Sequence, residues 1–150
     1  MSINIGGAAD IFDVGVKNDS GASRTVGDVV QIKIAKGGFL AGVPVVADGQ
    51  GRYLTGVVVG KEGHVFADGG DMMMRIFGPC KAKCDAAGAI AAGGTLTVVN
   101  GADHFTLSAA PGAPITSADA AAVIRGTNTS DPGGAIVEKL VDVWLSWPQG

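Results

Sequence analysis

The chain has two histidines, and neither lies in a pattern that nucleophilic or metal-dependent catalysis needs. A nucleophile requires a base within hydrogen-bond reach and a third group that orients the base. His64 lies in the turn-like stretch Lys61–His64 and His104 lies where a hairpin returns, so both are predicted to be exposed turn residues. The sequence contains no Gly-x-Ser-x-Gly elbow, P-loop or zinc-type His/Cys cluster. We therefore expect no enzyme activity and no cofactor.

The two cysteines, Cys80 and Cys84, stand four residues apart. On a helix this spacing would bring the thiols together as a metal or redox pair. In a strand it would put them on one face but about 13 Å apart along the chain, beyond disulfide reach. Pro79 and the small alternating residues favour the strand, so two buried free thiols and no metal are expected. The acidic stretch Asp68–Asp71 lacks the further oxygen ligands of an EF-hand and is predicted to be a solvated turn, with a calcium site as the open alternative.

The tryptophans, Trp144 and Trp147, are three residues apart in a β-pattern and therefore face opposite sides of the strand. They cannot form one stacking platform. Trp147 continues an apolar set that is predicted to face the core, namely Val141, Val143 and Leu145. Trp144 follows Leu140 and Asp142 on the more mixed face, and we expect Trp144 to face a partner.

The elements that must position these side chains are short β-patterned runs between glycine-punctuated turns. Clear cases are Val29–Ile34, Leu54–Val59, Met72–Phe77 and Ile136–Trp147. Such runs predict an all-β fold, a small β-barrel or β-sandwich with Gly-rich hairpins. The Ala-rich pieces Asp85–Ala92 and Ser117–Ala122 allow at most one or two short helices.

Residues 1–16 differ from the single β domain predicted for residues 17–150. Apolar side chains, interrupted by Gly6 and Gly7, favour equally an arm that packs on a neighbour and an ordinary first strand over Ile11–Val16. Further along, Gly42–Gly60 resembles Gly94–Gly126, since each has a hairpin pattern followed by a Val-rich strand. This similarity suggests an internal duplication, with the recurrence of common hairpin turns as the open alternative.

Composition narrows the function classes. The chain has 150 residues, 47% of them apolar but only 5% aromatic, so the core must consist mainly of Val, Ile, Leu and Ala. The net charge of -3 and the lack of any basic run oppose nucleic-acid binding. No segment reaches the apolar length of a membrane span, and the N-terminus lacks the features of a signal peptide, so synthesis in the cytoplasm is expected. With few charges to cover an apolar surface, we expect a homo-oligomer.

Two groups of residues resemble a known family. Lys17–Gly21 followed by Val26–Val30 resembles the opening N-x-[ST]-G … G-D-x-V of tailed-bacteriophage capsid decoration, or head cement, proteins. The later spacing of Gly, Ala and Val is similar to the rest of that pattern, at Gly78, Lys81-Ala82, Gly88–Ile90, Gly93–Leu96 and Ala122–Gly126. The resemblance covers most of residues 14–147. Three stretches depart from the family pattern, namely residues 1–16, the run Met72–Met74 and Glu138-Lys139.

The resemblance implies a structural virion protein that binds the outside of an assembled capsid, often as a trimer, and stabilises contacts between neighbouring capsomers. Its partners would be the major capsid protein and further copies of itself, with no nucleic acid and no membrane. The candidate capsid or oligomer contacts are Ile3, Ile5, Ile11, Phe12, Val14, Met73 and Trp144. The alternatives are a tail or fibre component of the same particle and a small carbohydrate-binding module that uses Trp144 and Tyr53.

Overall fold

The computed structural model describes residues 11–33, 37–43, 55–86, 95–98, 101–107, 122–124 and 137–145. Within these ranges there is no helix and most residues lie in strands, which confirms the all-β prediction. The strands in chain order are β1 (Phe12–Asn18), β2 (Arg24–Thr25), β3 (Val29–Ile32), β4 (Leu40–Gly42), β5 (Thr55–Val59), β6 (Val65–Phe66), β7 (Asp71–Ala86), β8 (Thr95–Val98), β9 (Phe105–Leu107), β10 (Ala122–Ile124) and β11 (Val137–Leu145).

The larger sheet closes into two five-stranded barrels that share the 16-residue strand β7. Barrel one has the order β1-β4-β3-β5-β7, and β1 closes the ring by pairing with the first half of β7. Barrel two has the order β7-β11-β10-β8-β9, and β9 closes the ring by a parallel pairing with the second half of β7. Strands β2 and β6 form a separate two-stranded sheet. Closure leaves the barrels without the long unpaired edges of an open sheet.

The two barrels have the same topology. In chain order, β1, β3, β4, β5 and the first half of β7 correspond to the second half of β7, β8, β9, β10 and β11. Each barrel contains one parallel pair, β1 with β4 and β7 with β9. The register coincides as well, because Val30 pairs with Gly56 as Leu96 pairs with Ala122. The internal duplication is therefore present, but one predicted alignment is wrong, since the counterpart of β8 is β3 and not the segment that begins at Gly42.

Side-chain alternation fills each barrel with small aliphatic residues. Barrel one encloses Val16, Val30, Ala41, Val58, Met72 and Met74. Barrel two encloses Ala82, Cys84, Leu96, Phe105, Val141, Val143 and Leu145, together with Val29 and Val57. Val29 and Val57 belong to strands of barrel one, so part of barrel one completes the core of barrel two. The two barrels consequently pack as one unit, and the predicted boundary between residues 16 and 17 falls inside β1.

Several local predictions can be compared with these strands. Cys80, Ala82 and Cys84 lie on the inward face of β7, and the two cysteines form no disulfide with each other. Cys84 is buried as predicted, whereas Cys80 is only half-buried. The core face predicted for β11 is the one found. The Ala-rich pieces that allowed a short helix overlap two strands, since Asp85 and Ala86 end β7 and Ala122 begins β10. The remaining residues of both pieces, and Ile3, Ile5, Tyr53 and Trp147, lie outside the described residues.

Candidate functional site: an outer apolar face and the joint behind it

Asn18 organises the loop that follows β1. Its buried side-chain amide donates to the carbonyl oxygens of Ala22 (2.9 Å) and Phe66 (3.1 Å). Its side-chain oxygen accepts hydrogen bonds from the backbone N–H (3.1 Å) and the hydroxyl (2.7 Å) of Ser20. Because a buried amide with such partners fixes the backbone on both sides, Asn18 ties this loop to β6.

The acidic turn Asp68–Asp71 is held by contacts with the same loop. Asp68 accepts a hydrogen bond of 2.9 Å from the backbone N–H of Gly21, whose φ of 83° suits glycine. Asp71 forms an exposed ion pair of 3.3 Å with Lys17. Both carboxylates therefore have partners within the protein.

The corner between β2 and β3, which contains Gly27 and Asp28, packs against barrel two. The backbone N–H of Lys83, in β7, donates to the Gly27 carbonyl at 2.8 Å, and the N–H of Val29 donates to the Asp103 carbonyl at 2.8 Å. Gly27 has a φ of 100°, and an added Cβ there would overlap the side chain of Leu140. The motif Gly27-Asp28 therefore allows one barrel to approach the other at backbone distance.

We call the contact between the β2–β3 corner of barrel one and barrel two the joint. Four charged side chains form a cluster there. Asp28 is almost completely buried and accepts hydrogen bonds from the N–H (2.9 Å) and hydroxyl (3.1 Å) of Thr25. It pairs with Lys83 and lies 3.9 Å from Arg24. Asp103 lies 3.6 Å from Arg24 and 3.8 Å from Lys83. Two cations thus face two carboxylates, and mutual pairing offsets the cost of removing them from water.

The histidines differ in their surroundings. His64 is exposed, as predicted, and its ring meets that of Phe66 edge-on with centroids 4.6 Å apart. The exposed position predicted for His104 is wrong, because its side chain is only 17% exposed and its Nδ1 lies 3.3 Å from Asp103 Oδ1. His104 follows Asp103, whose carbonyl accepts the N–H of Val29, and the local sequence around His104 does not reveal this long-range contact.

The outer surface of β7 carries an apolar face. Phe12 and Phe77 are register partners across β1 and β7, and the register shift after Phe12 places Asp13 opposite Arg75. Register partners project to the same side of a sheet, so this irregularity lets both Phe12 and Asp13 face outwards. Phe77 meets Trp144 edge-on, with centroids 5.9 Å apart. We call Phe12, Met73, Phe77 and Trp144 the outer apolar face; Phe12 is 50% and Met73 46% exposed.

Arg75 lies between Met73 and Phe77 on the outward side of β7, and its hydrogen bonds hold β1 and β7 together at the outer apolar face. Its Nε donates to Asp13 Oδ1 at 2.7 Å and its Nη2 to Oδ2 at 3.1 Å, a bidentate pair between β7 and β1. Its Nη1 donates to the Pro79 carbonyl at 2.5 Å. The hydrogen bonds with Asp13 raise the pKa of the guanidinium above its ordinary value. The polar part of the face is therefore rigid, and Arg75 stays charged at any physiological pH.

A cleft of about 560 Å³ runs beside Arg75 between the two barrels. Its charged lining consists of Asp13, Glu62, Arg75 and Lys81, which balance one another, and Glu62 lies 3.9 Å from Lys81. Across the described residues, no group of three or more His, Cys, Asp or Glu is placed to hold a metal ion. Nor does this part of the chain contain a helix long and apolar enough to span a membrane.

The structure separates the predicted contact residues. Phe12, Met73 and Trp144 lie on the outer apolar face, and Ile11 is half-buried just before β1. Val14 packs instead against the core of barrel one and is not part of the face. Ile3 and Ile5 lie outside the described residues. Sequence reasoning missed Phe77, Arg75 and the four charges of the joint; the Gly27-Asp28 motif is the one signal that pointed towards Asp28.

Comparison with known proteins adds no relative. The sequence matches no protein-family model and no curated protein.

Proposed function

We propose that this chain is a structural virion protein that decorates the outside of an assembled phage capsid and stabilises contacts between neighbouring capsomers. It acts as a homo-oligomer, a trimer in the simplest case, and its partner is the major capsid protein. The observation that carries the proposal is the outer apolar face on β7, the strand shared by the two closed barrels, where Phe12 of the neighbouring strand β1 is half exposed. The resemblance of Lys17–Gly21 and Val26–Val30 to decoration proteins supports the same assignment.

The fold suits a protein that works by contact. Closed barrels have few unpaired edges, so binding depends on side chains that project from a stiff surface. Burial of the exposed half of Phe12 against a capsid would remove about 100 Å² of apolar area and contribute about 2–3 kcal/mol per copy. A contact of that size is weak alone, but an oligomer that makes it several times gains affinity through effective concentration.

The test uses emptied, expanded heads of the phage that encodes this chain, prepared without their own copies of it. Wild-type protein is expected to co-sediment with these heads and to saturate at a stoichiometry set by the capsid symmetry. Phe12→Glu should weaken binding by about 30-fold or more, because the charge must be desolvated in the contact. Val65→Glu is the matched control, since Val65 is 55% exposed and lies on β6, in the separate two-stranded sheet that β6 forms with β2.

Three outcomes decide the proposal. If wild-type protein does not bind heads, the decoration function is wrong. If Phe12→Glu binds as wild type does, the function stands but the face is wrongly assigned. Electron micrographs with labelled protein separate head from tail, and label on tails alone would replace the proposal by a tail or fibre role.

A further inference from the structure

We infer that barrel one carries a docking groove for barrel two of a second copy of this chain. The groove has a volume of about 370 Å³ and lies on barrel one, where β1, β4 and β7 meet. Its lining consists of Gly15, Val16, Lys17, Phe39, Leu40, Asp71 and Met72. The inference rests on the self-association part of the proposed function and is independent of capsid binding.

The duplicated fold identifies the counterpart of this groove. Lys17 pairs with Asp71 across β1 and β7 as Lys83 pairs with Leu140 across β7 and β11. Ala41 is the partner of Asn18 as Phe105 is the partner of Cys84, so Phe39, two residues before Ala41, occupies the position of Asp103. The counterpart of the groove is therefore the surface formed by Lys83, Asp103 and Leu140 on barrel two.

Within one chain, this counterpart surface is covered. Gly27 lies against the side chains of Leu140 and Lys83, and Val29 donates its N–H to the Asp103 carbonyl. The corner that makes these contacts leads into β3 of barrel one. The surface therefore serves as a barrel-to-barrel contact.

On barrel one, no described residue covers the equivalent surface. Phe39 is 62% exposed, more than any other large apolar side chain in the described ranges. The side chains of Lys17 and Asp71 are 52% and 90% exposed. An exposed aromatic side chain above an open groove is typical of a contact surface.

The occupant that fits is barrel two of another copy. The β2–β3 corner of barrel one is already used inside its own chain, whereas β8, the counterpart of β3, belongs to barrel two. Docking barrel two of one copy on barrel one of the next puts the second copy at the position that the β2–β3 corner has on barrel two. This arrangement is head-to-tail, and such contacts form a closed ring when the rotation closes. One difference follows from the backbone. Lys17 already donates its N–H to the Phe39 carbonyl at 2.9 Å. A second copy therefore contacts the side chain of Phe39 and the aliphatic part of Lys17 and does not hydrogen-bond to these backbone groups.

The test measures oligomeric state by native mass spectrometry and sedimentation equilibrium. Wild-type protein is expected to be an oligomer at tens of micromolar, and Phe39→Glu should weaken self-association by about 100-fold. Phe39→Leu should stay close to wild type, because it keeps most of the apolar contact. Val65→Glu, a charge at an equally exposed apolar site, should leave the oligomer intact. Circular dichroism confirms that each variant is folded, as expected for changes at exposed positions.

The outcomes also separate this inference from the proposed function. An oligomer that persists in Phe39→Glu overturns the groove while self-association stands. A monomeric wild type overturns both the groove and the self-association. Capsid decoration has its own test in Phe12→Glu, which should lose binding to heads and keep the oligomer.

Discussion

Replacing Asp28 by Asn removes one charge from the joint while it keeps the shape of the side chain. The Asp28 side chain is 3% exposed, and the side chains of Arg24 and Lys83 are 10% and 22% exposed. After the change, both cations face Asp103 alone, at 3.6 and 3.8 Å. Removing one partner of a buried ion pair costs about 3–5 kcal/mol, because the remaining charge stays desolvated.

For a chain of this length, 1 kcal/mol corresponds to about 2–4 °C, so Asp28→Asn should lower the Tm by about 6–20 °C. Asp71→Asn is the matched control. It makes the same chemical change in the exposed pair with Lys17, where about 0–1 kcal/mol is at stake. Adding Lys83→Met to Asp28→Asn should restore part of the loss, since it leaves Arg24 and Asp103 as a balanced pair.

The assay is urea unfolding followed by tryptophan fluorescence at one fixed protein concentration, because an oligomer makes the apparent stability depend on concentration. Wild type, Asp28→Asn, Lys83→Met and the double variant form a double-mutant cycle for Asp28 and Lys83. If Asp28→Asn costs no more than Asp71→Asn, or if the two joint substitutions simply add, the charges do not hold the barrels together and the reasoning fails.

Two further changes test other parts of the molecule. Asn18→Ala removes the amide that donates to the carbonyls of Ala22 and Phe66 and the oxygen that accepts from Ser20, so it should lower the free energy of unfolding by about 2–4 kcal/mol. Ser23→Ala, at an exposed position of the same loop, should change the free energy of unfolding by less than about 0.5 kcal/mol. Equal effects of the two substitutions in urea unfolding would contradict the role of Asn18. A maleimide should label the half-buried Cys80 of the native protein faster than the fully buried Cys84. Mild oxidation should produce no internal disulfide, because the two cysteines stand four residues apart in one strand. Equal labelling rates, or an internal disulfide seen by mass spectrometry, would refute the β7 geometry.

Strand β7 shows how much of the fold could be predicted from the sequence. The sequence predicts a strand at Met72–Phe77 and, from Pro79 and the small alternating residues, a strand through Cys80 and Cys84. The structure joins them into one strand. Gly78, with a φ of 105°, and Pro79 lie where β7 leaves barrel one for barrel two, so the missing Pro N–H falls at the change of partners.

The outer apolar face and the charged cluster could likewise be predicted only in part. Alternation alone predicts that Trp144 projects away from the core side of β11, and the structure places it there beside Phe77. The outward position of Phe12 could not be predicted, because it depends on a register shift against a strand about 60 residues away in sequence. Asp103 likewise carries no local signal that it lies beside Arg24 and Lys83.

The sequence by itself determined the class of fold and the small aliphatic core, and it suggested a duplication whose alignment the strand pairing corrected. These properties follow from residue type and from a period of two along the chain, which are local. Only the tertiary structure decided that the strands close into two barrels, that one strand serves both, and that Asp28 and Lys83 join them. Strand pairing and burial are set by packing between distant segments, and such packing leaves no periodic pattern within either segment.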